Sequence, residues 1–330
     1  MISLRPYNSF GVECFAEKLL TINHLSDLLN ILPTQEPILV LGEGSNILFT
    51  KNWTGLVILN RIKGIEIIRE SNDEVWVKAG AGENWHEFTQ WAVDNNLGGV
   101  ENLSLIYGTV GAAPIQNIGA YGVELETVFE RLETVILATG EVKTYEKAAC
   151  RFGYRESVFK HELKNQHCIV SVTLKLQRNP KKFNTDYGDI ALFLQNKGIK
   201  TPTLRDISQA VIAIRTQKLP NPSEMGNAGS FFKNPVLSKR QYNELLQQFP
   251  YMPSFALNET QVKIPAAWLI QQSGWRGRRV DDAGVAEKHA LVLVNYGKAT
   301  GMEIKHLALD ILHDVKQKFG IMLTPEVNIF

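Results

Sequence analysis

The sequence predicts a chain of mixed strands and helices that is not built on a Rossmann turn, and three observations carry this. The apolar run Ile38-Leu39-Val40-Leu41 enters Gly42-Glu43-Gly44-Ser45-Asn46, yet the residues that follow, Ile47-Leu48-Phe49, read as another strand. A dinucleotide fingerprint needs a third glycine and a helix at that point. Two helical stripes stand late in the chain, Leu204/Ile207/Val211/Ile214 and Ile304/Leu307/Ala308/Ile311/Val315/Phe319, at the three- and four-residue spacing of a buried helix face. Between them and the first strands, Leu103–Val123 carries no charge and is too rich in glycine for a regular element.

Each element has a local reason. Val57-Ile58-Leu59 and Val75–Ala79 are short apolar runs of strand type, the second ending at Gly80-Ala81-Gly82. Trp85, Phe88 and Ala92 then recur at helical spacing. Val135–Ala138 closes on the turn Thr139-Gly140, and Ile169–Leu176 alternates like a half-buried strand. Residues 179–189 are polar and predict a loop or boundary. The helix through Ile214 ends in the cations Arg215 and Lys218, which suit its negative end, and Pro220 and Pro222 stop it. The chain closes on a short alternating strand, Thr324–Phe330.

With 330 residues, 44% of them hydrophobic and 21% charged, the chain can bury a substantial core in two or three domains. A net charge of +1 gives no support to broad nucleic-acid or membrane-surface binding. Cys14, Cys150 and Cys168 are distant and odd in number, which argues against a disulfide framework or a cysteine zinc site. The pairs His86-Glu87 and His161-Glu162 lack the second histidine of a metalloprotease helix, because Gln90 and Asn165 stand there. No signal segment or spanning helix is evident, so a cytoplasmic protein is expected.

Gly226–Pro235 reads Gly-Asn-Ala-Gly-Ser-Phe-Phe-Lys-Asn-Pro. Small residues let a substrate approach Ser230 closely, Phe231 and Phe232 exclude water beside it, and Lys233, Asn227 and Asn234 add polar groups. That is a way to build a proton donor into a small-molecule pocket, and equally a turn between two elements. Leu103–Val123 fits either burial against a flat ligand or an internal connection. Arg151 and Arg155 bracket aromatic residues, as a carboxylate site or a surface turn would.

Taken in order, Leu41–Asn46, Asn60–Glu66, Gly80–Trp85, Pro114–Leu125, Arg151–Ser157, Arg215–Pro220, Gly226–Pro235, Ala290–Asn295 and Pro325-Glu326-Val327 span nearly the whole chain and resemble the UDP-N-acetylenolpyruvoylglucosamine reductase family. Tyr187-Gly188-Asp189 is similar to the branch with a substrate-capping tyrosine. The resemblance implies an α+β protein with an FAD-binding fold of the vanillyl-alcohol-oxidase/PCMH type, made of two α+β subdomains, plus a third α/β substrate-binding domain. The implied boundaries are 1–62, 63–200 and 201–322, with the strand 323–330 returning to the active site.

The implied reaction is reduction of UDP-N-acetylglucosamine enolpyruvate to UDP-N-acetylmuramate by non-covalent FAD, with NADPH as co-substrate. The resemblance makes Arg155, Ser230 and Glu326 catalytic. Arg155 would hold the substrate carboxylate, Ser230 would give the proton, and Glu326 would polarise the developing enolate. Gly42, Glu43, Gly44, Ser45, Asn46, Gly108, Gly111, Ala112, Ala113, Pro114, Gln116, Asn117, Ile118, Gly119 and Arg215 would bind FAD. Tyr121, Tyr187, Lys218, Asn234, Arg276 and His289 would bind substrate. No metal, nucleic acid or membrane insertion is implied, and a monomer is expected. Tyr107 departs from the family's usual proline, Arg276 from its lysine, and Asp281-Asp282 from a glycine-containing stretch.

Overall fold

The computed structural model describes residues 1–186 and 189–330, and its chain separates into two compact units. The first comprises residues 1–2, 16–43 and 53–217; the second comprises 3–15, 44–52 and 218–330.

In the first unit, the strands Phe15–Ile22, Trp53–Asn60 and Ile38–Leu41 lie parallel in that spatial order. Trp53–Asn60 is central and its residues from Gly55 onward are buried, which explains its continuous apolar run. A second, antiparallel sheet runs Val142–Glu146, Phe129–Ile136, His167–Arg178, Glu74–Gly80 and Ile65–Glu70. Ile22, Leu56 and Ile58 of the first sheet share a core with Val135, Cys168 and Val170 of the second.

The helix Trp85–Asp94 starts where Asn84 Oδ1 accepts the Glu87 N–H at 2.9 Å, an N-cap on the expected face. Its Trp85, Phe88 and Ala92 are buried against Val75, Val77 and Val172. The helix Leu204–Lys218 buries Leu204, Ile207, Val211 and Ile214, as the spacing predicts.

One sequence expectation is corrected here. The strand His167–Arg178 is buried on both faces from Cys168 to Leu174, not half-buried. Its alternating Ser171 and Thr173 look like a solvent face, but Ser171 Oγ donates to Glu133 at 2.6 Å, and Glu133 also pairs with Lys78 at 2.5 Å. A polar residue with its hydrogen bond satisfied is buried at little cost.

In the second unit, Gly226–Ser230, Val292–Asn295, Ala283–Val285 and Arg279–Val280 form an antiparallel sheet in that order. The helix Gly301–Phe319 begins with a capping box between Thr300 and Glu303 and ends at Gly320 in left-handed backbone. Gly301 has no alternative, because a Cβ there would stand 1.6 Å from the Phe49 carbonyl oxygen. Asn328–Ile329 pairs in parallel with Ile47–Leu48. A small antiparallel sheet of Val236–Ser238, Gln261–Lys263 and Phe255–Ala256 was not readable from the sequence.

Cys14, Cys150 and Cys168 are buried free thiols, and burial pushes each up to about 12, so none is a thiolate nucleophile at neutral pH. Among the described residues, no helix is long and apolar enough to cross a membrane, and no three His, Cys, Asp or Glu side chains group as a metal site.

Candidate active site

Three glycine segments of the first unit meet. Gly111 N–H donates to Ala81 O and Val110 N–H to Glu83 O, each at 2.9 Å. A Cβ on Gly111 would lie 2.5 Å from the Ala81 Cβ, and one on Gly42 would lie 2.4 Å from Thr109 Oγ1. Only glycine allows these backbones to approach so closely. Glu43 fixes the junction: its carboxylate accepts from Asn84 Nδ2 at 2.6 Å and from Gly108 N–H at 3.0 Å. The side chain of Glu43 is thus turned inward, to the loop.

Ala113–Gln116 forms a short 3-10 turn that carries Pro114, and Asn117 follows in left-handed backbone at φ 43°. Asn117 is fully buried, and its side chain holds the turn at three points. Nδ2 donates to Glu124 Oε2 at 3.0 Å and to Gly153 O at 3.1 Å, while Oδ1 accepts from Glu126 N–H at 3.0 Å. Ala112 precedes the turn, and Ile118 is buried behind it.

Arg155 reaches back to the same loop. Its Nη2 donates to Gly119 O at 2.5 Å and its Nη1 to Asn117 O at 3.5 Å, with Glu124 Oε1 4.0 Å away. A Cβ on Gly119 would stand 2.9 Å from Arg155 Nη1, so the glycine makes room for the guanidinium. Arg215 donates from Nε to Leu105 O at 3.1 Å. Burial pushes the Arg215 guanidinium below its ordinary value; Tyr121 and Tyr107 act in the opposite sense and Arg155 in the same sense. None of the groups that act on Arg215 is a carboxylate, whereas Arg155 has Glu124 at the edge of ion-pair distance. Two arginines set against an uncharged glycine loop suit a group with phosphate or carboxylate charge, and this is the observation by which the residues present fit FAD.

In the second unit, Ser230 is presented by an irregular strand. Gly226 pairs with Asn295 and Asn227 with Val294, but the register shifts before Ser230 meets Val292. Gly229 takes up the irregularity in left-handed backbone at φ 68°, and Asn227 Oδ1 accepts its N–H at 2.9 Å. Such a bulge re-aims the side chain that follows. Phe231 and Phe232 are both buried beside Ser230 and pack edge to face at 5.1 Å.

The next residues pair with the end of the chain. Glu326 N–H donates to Phe231 O at 2.8 Å, Phe232 bridges Pro325, and Lys233 N–H donates to Thr324 O at 2.9 Å. This antiparallel pairing sets the backbone of Glu326 opposite Phe231, the residue that follows Ser230. Asn46 Nδ2 donates to Glu326 O at 3.3 Å, and Asn46 O accepts from Asn328 N–H at 3.1 Å. Gly44, at φ 64°, would place a Cβ 2.0 Å from Tyr7 O; Ser45 lies between it and Asn46.

The remaining predicted residues are more scattered. Tyr121, with φ 48°, packs beside Ile190 and Ile207, and its carbonyl accepts from Asn102 Nδ2 at 3.0 Å. Asn234 Oδ1 accepts from Ala266 N–H at 2.9 Å, at the start of the helix Ala266–Gln272. Arg276 is exposed and donates to Glu287 O at 2.6 Å and Gln271 Oε1 at 3.1 Å. His289 Nδ1 accepts from Leu291 N–H at 3.3 Å, and Lys218 is exposed at the helix end. The expectation for Tyr187 lies outside the described residues. Sequence reasoning missed His86, whose role emerges only from the loop it touches, and Asn84, which the run Gly-Glu-Asn-Trp marks as a cap.

Residues 20–146 match the model described as FAD binding domain. Fold and site together define a flavin-dependent oxidoreductase with the PCMH type of FAD-binding fold. Residues 221–330 match the model of the UDP-N-acetylenolpyruvoylglucosamine reductase C-terminal domain. A protein of that name from Flavobacterium johnsoniae is 49% identical over 99% of this chain and 98% of its own length. One from Amoebophilus asiaticus is 47% identical over 99% and 98%. The crystal structure of the reductase from Thermus caldophilus superposes with a TM-score of 0.69 at 25% identity, covering 100% of this chain and 97% of that one. The chain belongs to the UDP-N-acetylenolpyruvoylglucosamine reductase family.

Proposed function

We propose that this chain is the cytoplasmic, NADPH-dependent enzyme that reduces UDP-N-acetylglucosamine enolpyruvate to UDP-N-acetylmuramate, and that it acts as a monomer. FAD, when bound, would supply the redox chemistry, hydride transfer from NADPH to the enolpyruvyl methylene carbon. The backbone of Gly42 to Asn46 and of Gly108 to Gly119, with Arg215, would hold the cofactor. Arg155 would hold the substrate carboxylate through a two-pronged guanidinium contact and stabilise the enolate that hydride addition creates.

Ser230 Oγ would then protonate the adjacent carbon, with Lys218 or Lys233 easing the charge left on the oxygen. Glu326 would polarise the enolate through hydrogen bonds. The observation that supports this reading is the pairing of Phe231–Lys233 with Thr324–Glu326, which sets the Glu326 backbone opposite Phe231, next in the chain to Ser230 and the bulge before it. Tyr187, Asn234, Arg276, His289 and Tyr121 would contact the nucleotide sugar. Three domains, 1–62, 63–200 and 201–322, are part of the proposal; the change from parallel to antiparallel sheet after Asn60 supports the first boundary.

The test is anaerobic. The purified protein is reduced with NADPH, UDP-N-acetylglucosamine enolpyruvate is added, and flavin absorbance is followed. Reoxidation with formation of UDP-N-acetylmuramate is the expected result. Reduction without reoxidation would remove the assigned substrate, and oxygen consumption with another alcohol, independent of NADPH, would favour an oxidase.

A further inference from the structure

Leu105 stands in left-handed backbone at φ 57°, a conformation that a branched side chain rarely adopts. Side chains from two helices hold it there. Its N–H donates to His86 Nδ1 at 3.0 Å, from the helix Trp85–Asp94, and its carbonyl accepts from Arg215 Nε at 3.1 Å, from the helix Leu204–Lys218. The surrounding segment is tied down as well. Trp85 Nε1 donates to Leu103 O at 3.0 Å, Trp85 N–H to Gly108 O at 2.9 Å, and Gly108 N–H to Glu43 at 3.0 Å. The path from Leu103 to Gly108 is therefore set by a few side chains before the glycine loop begins.

We propose that His86 is a positioning residue for this loop: as a neutral imidazole it accepts the Leu105 N–H, and with Arg215 it fixes the turn from which the cofactor-binding glycines leave. A backbone N–H only donates, so Nδ1 must be bare and the ring proton must sit on Nε2. Protonating His86 turns Nδ1 into a donor facing a donor and breaks the clamp. Burial pulls the His86 pKa below its ordinary value, Glu87 on its own helix acts in the opposite sense, and Arg215 on the facing helix acts in the same sense. Ser104, Leu105 and Ile106 add no ionisable side chain. The clamp is complete at neutral pH and fails as the medium is acidified.

The consequence for the cofactor rests on the flavin reading above, and the experiment separates the two. Release of FAD from the diluted holoenzyme is followed by the return of free-flavin fluorescence, and exchange of the Leu105 amide is read in the same preparations. In the wild-type protein, release is expected to accelerate as pH falls through the lowered pKa of His86, which lies below the ordinary imidazole value of about 6.5. His86→Phe should release FAD about three- to tenfold faster at pH near 7.5, with faster exchange at Leu105. His86→Asn keeps an acceptor oxygen that does not protonate, so it should match the wild type near neutrality and lose the acceleration in acid. Equal release and exchange in His86→Phe, or an unchanged acid acceleration in His86→Asn, would overturn the proposal. A protein that takes up no FAD would overturn the flavin reading, and amide exchange would still decide the clamp.

Discussion

The glycine loop of the first unit and the Ser230 bulge of the second use polar residues in opposite ways. Around the loop, side chains are spent on holding backbone: Asn117 makes three internal hydrogen bonds, Glu43 two, and Arg155 bonds two loop carbonyls. What such a loop presents is shape and main chain. At the bulge, Asn227 does the holding, with donors to Pro220 O and Met225 O and an acceptor for Gly229 N–H, and Ser230 follows as the group the bulge presents. The difference teaches that a polar residue in a motif is not evidence of ligand contact by itself. Substitutions around the loop should register as stability and cofactor affinity, and substitutions at the bulge as chemistry.

Arg155 is the residue that tests the contrast hardest, because it is tied to the loop and is also assigned to the substrate. Arg155→Ala should lower kcat/KM by about 10²–10³-fold in steady-state turnover, with FAD affinity also reduced. Arg155→Lys should recover little, since an ammonium lacks the planar fork. If only affinity and stability fall, Arg155 is a strut and not a catalytic group. Asn117→Ala should cost about 1–3 kcal/mol in denaturant unfolding, because it leaves the Glu126 N–H without its acceptor and takes from the Gly153 carbonyl one of its two donors, the other being Glu156 N–H.

Gly229→Ala sharpens the comparison from the other side. No atom lies within 4 Å of the added Cβ, so only the left-handed backbone at φ 68° penalises it. The expected loss of stability is about 1–2 kcal/mol, with a larger proportional loss of turnover as Ser230 is re-aimed. The smallest effect is on pH. Burial pulls the pKa of His86 and, with Lys143 acting in the same sense, of His167 below the ordinary imidazole value of 6.5. The unfolded chain binds their protons more readily, so stability is flat above about 6.5 and declines as pH falls toward the lowered values. The slope is at most about 1.4 kcal/mol per pH unit for each histidine, measured as unfolding free energy against pH.

Long amphipathic elements were legible because burial on one face imposes a period. The helices Leu204–Lys218 and Gly301–Phe319 lie where their stripes place them. The central strand His167–Arg178 was misread because Ser171 and Thr173 imitate a solvent face while a paired Glu133 satisfies Ser171. The small sheet from Val236 to Lys263 has strands of two or three residues, too short for any period to show. In the site, the glycines were legible as places of close approach. The clamp on Leu105 was not, since His86, Leu105 and Arg215 are distant in sequence and share no pattern.

The central claim is that Ser230 supplies the proton of the second half-reaction and takes no part in flavin reduction. Stopped-flow absorbance of wild type and Ser230→Ala, in the two half-reactions separately, tests it most directly. Reduction by NADPH should be unchanged in the variant, and reoxidation by UDP-N-acetylglucosamine enolpyruvate should slow by about 10²–10⁴-fold. Equal slowing of both half-reactions, or no slowing of the second, would contradict the assignment.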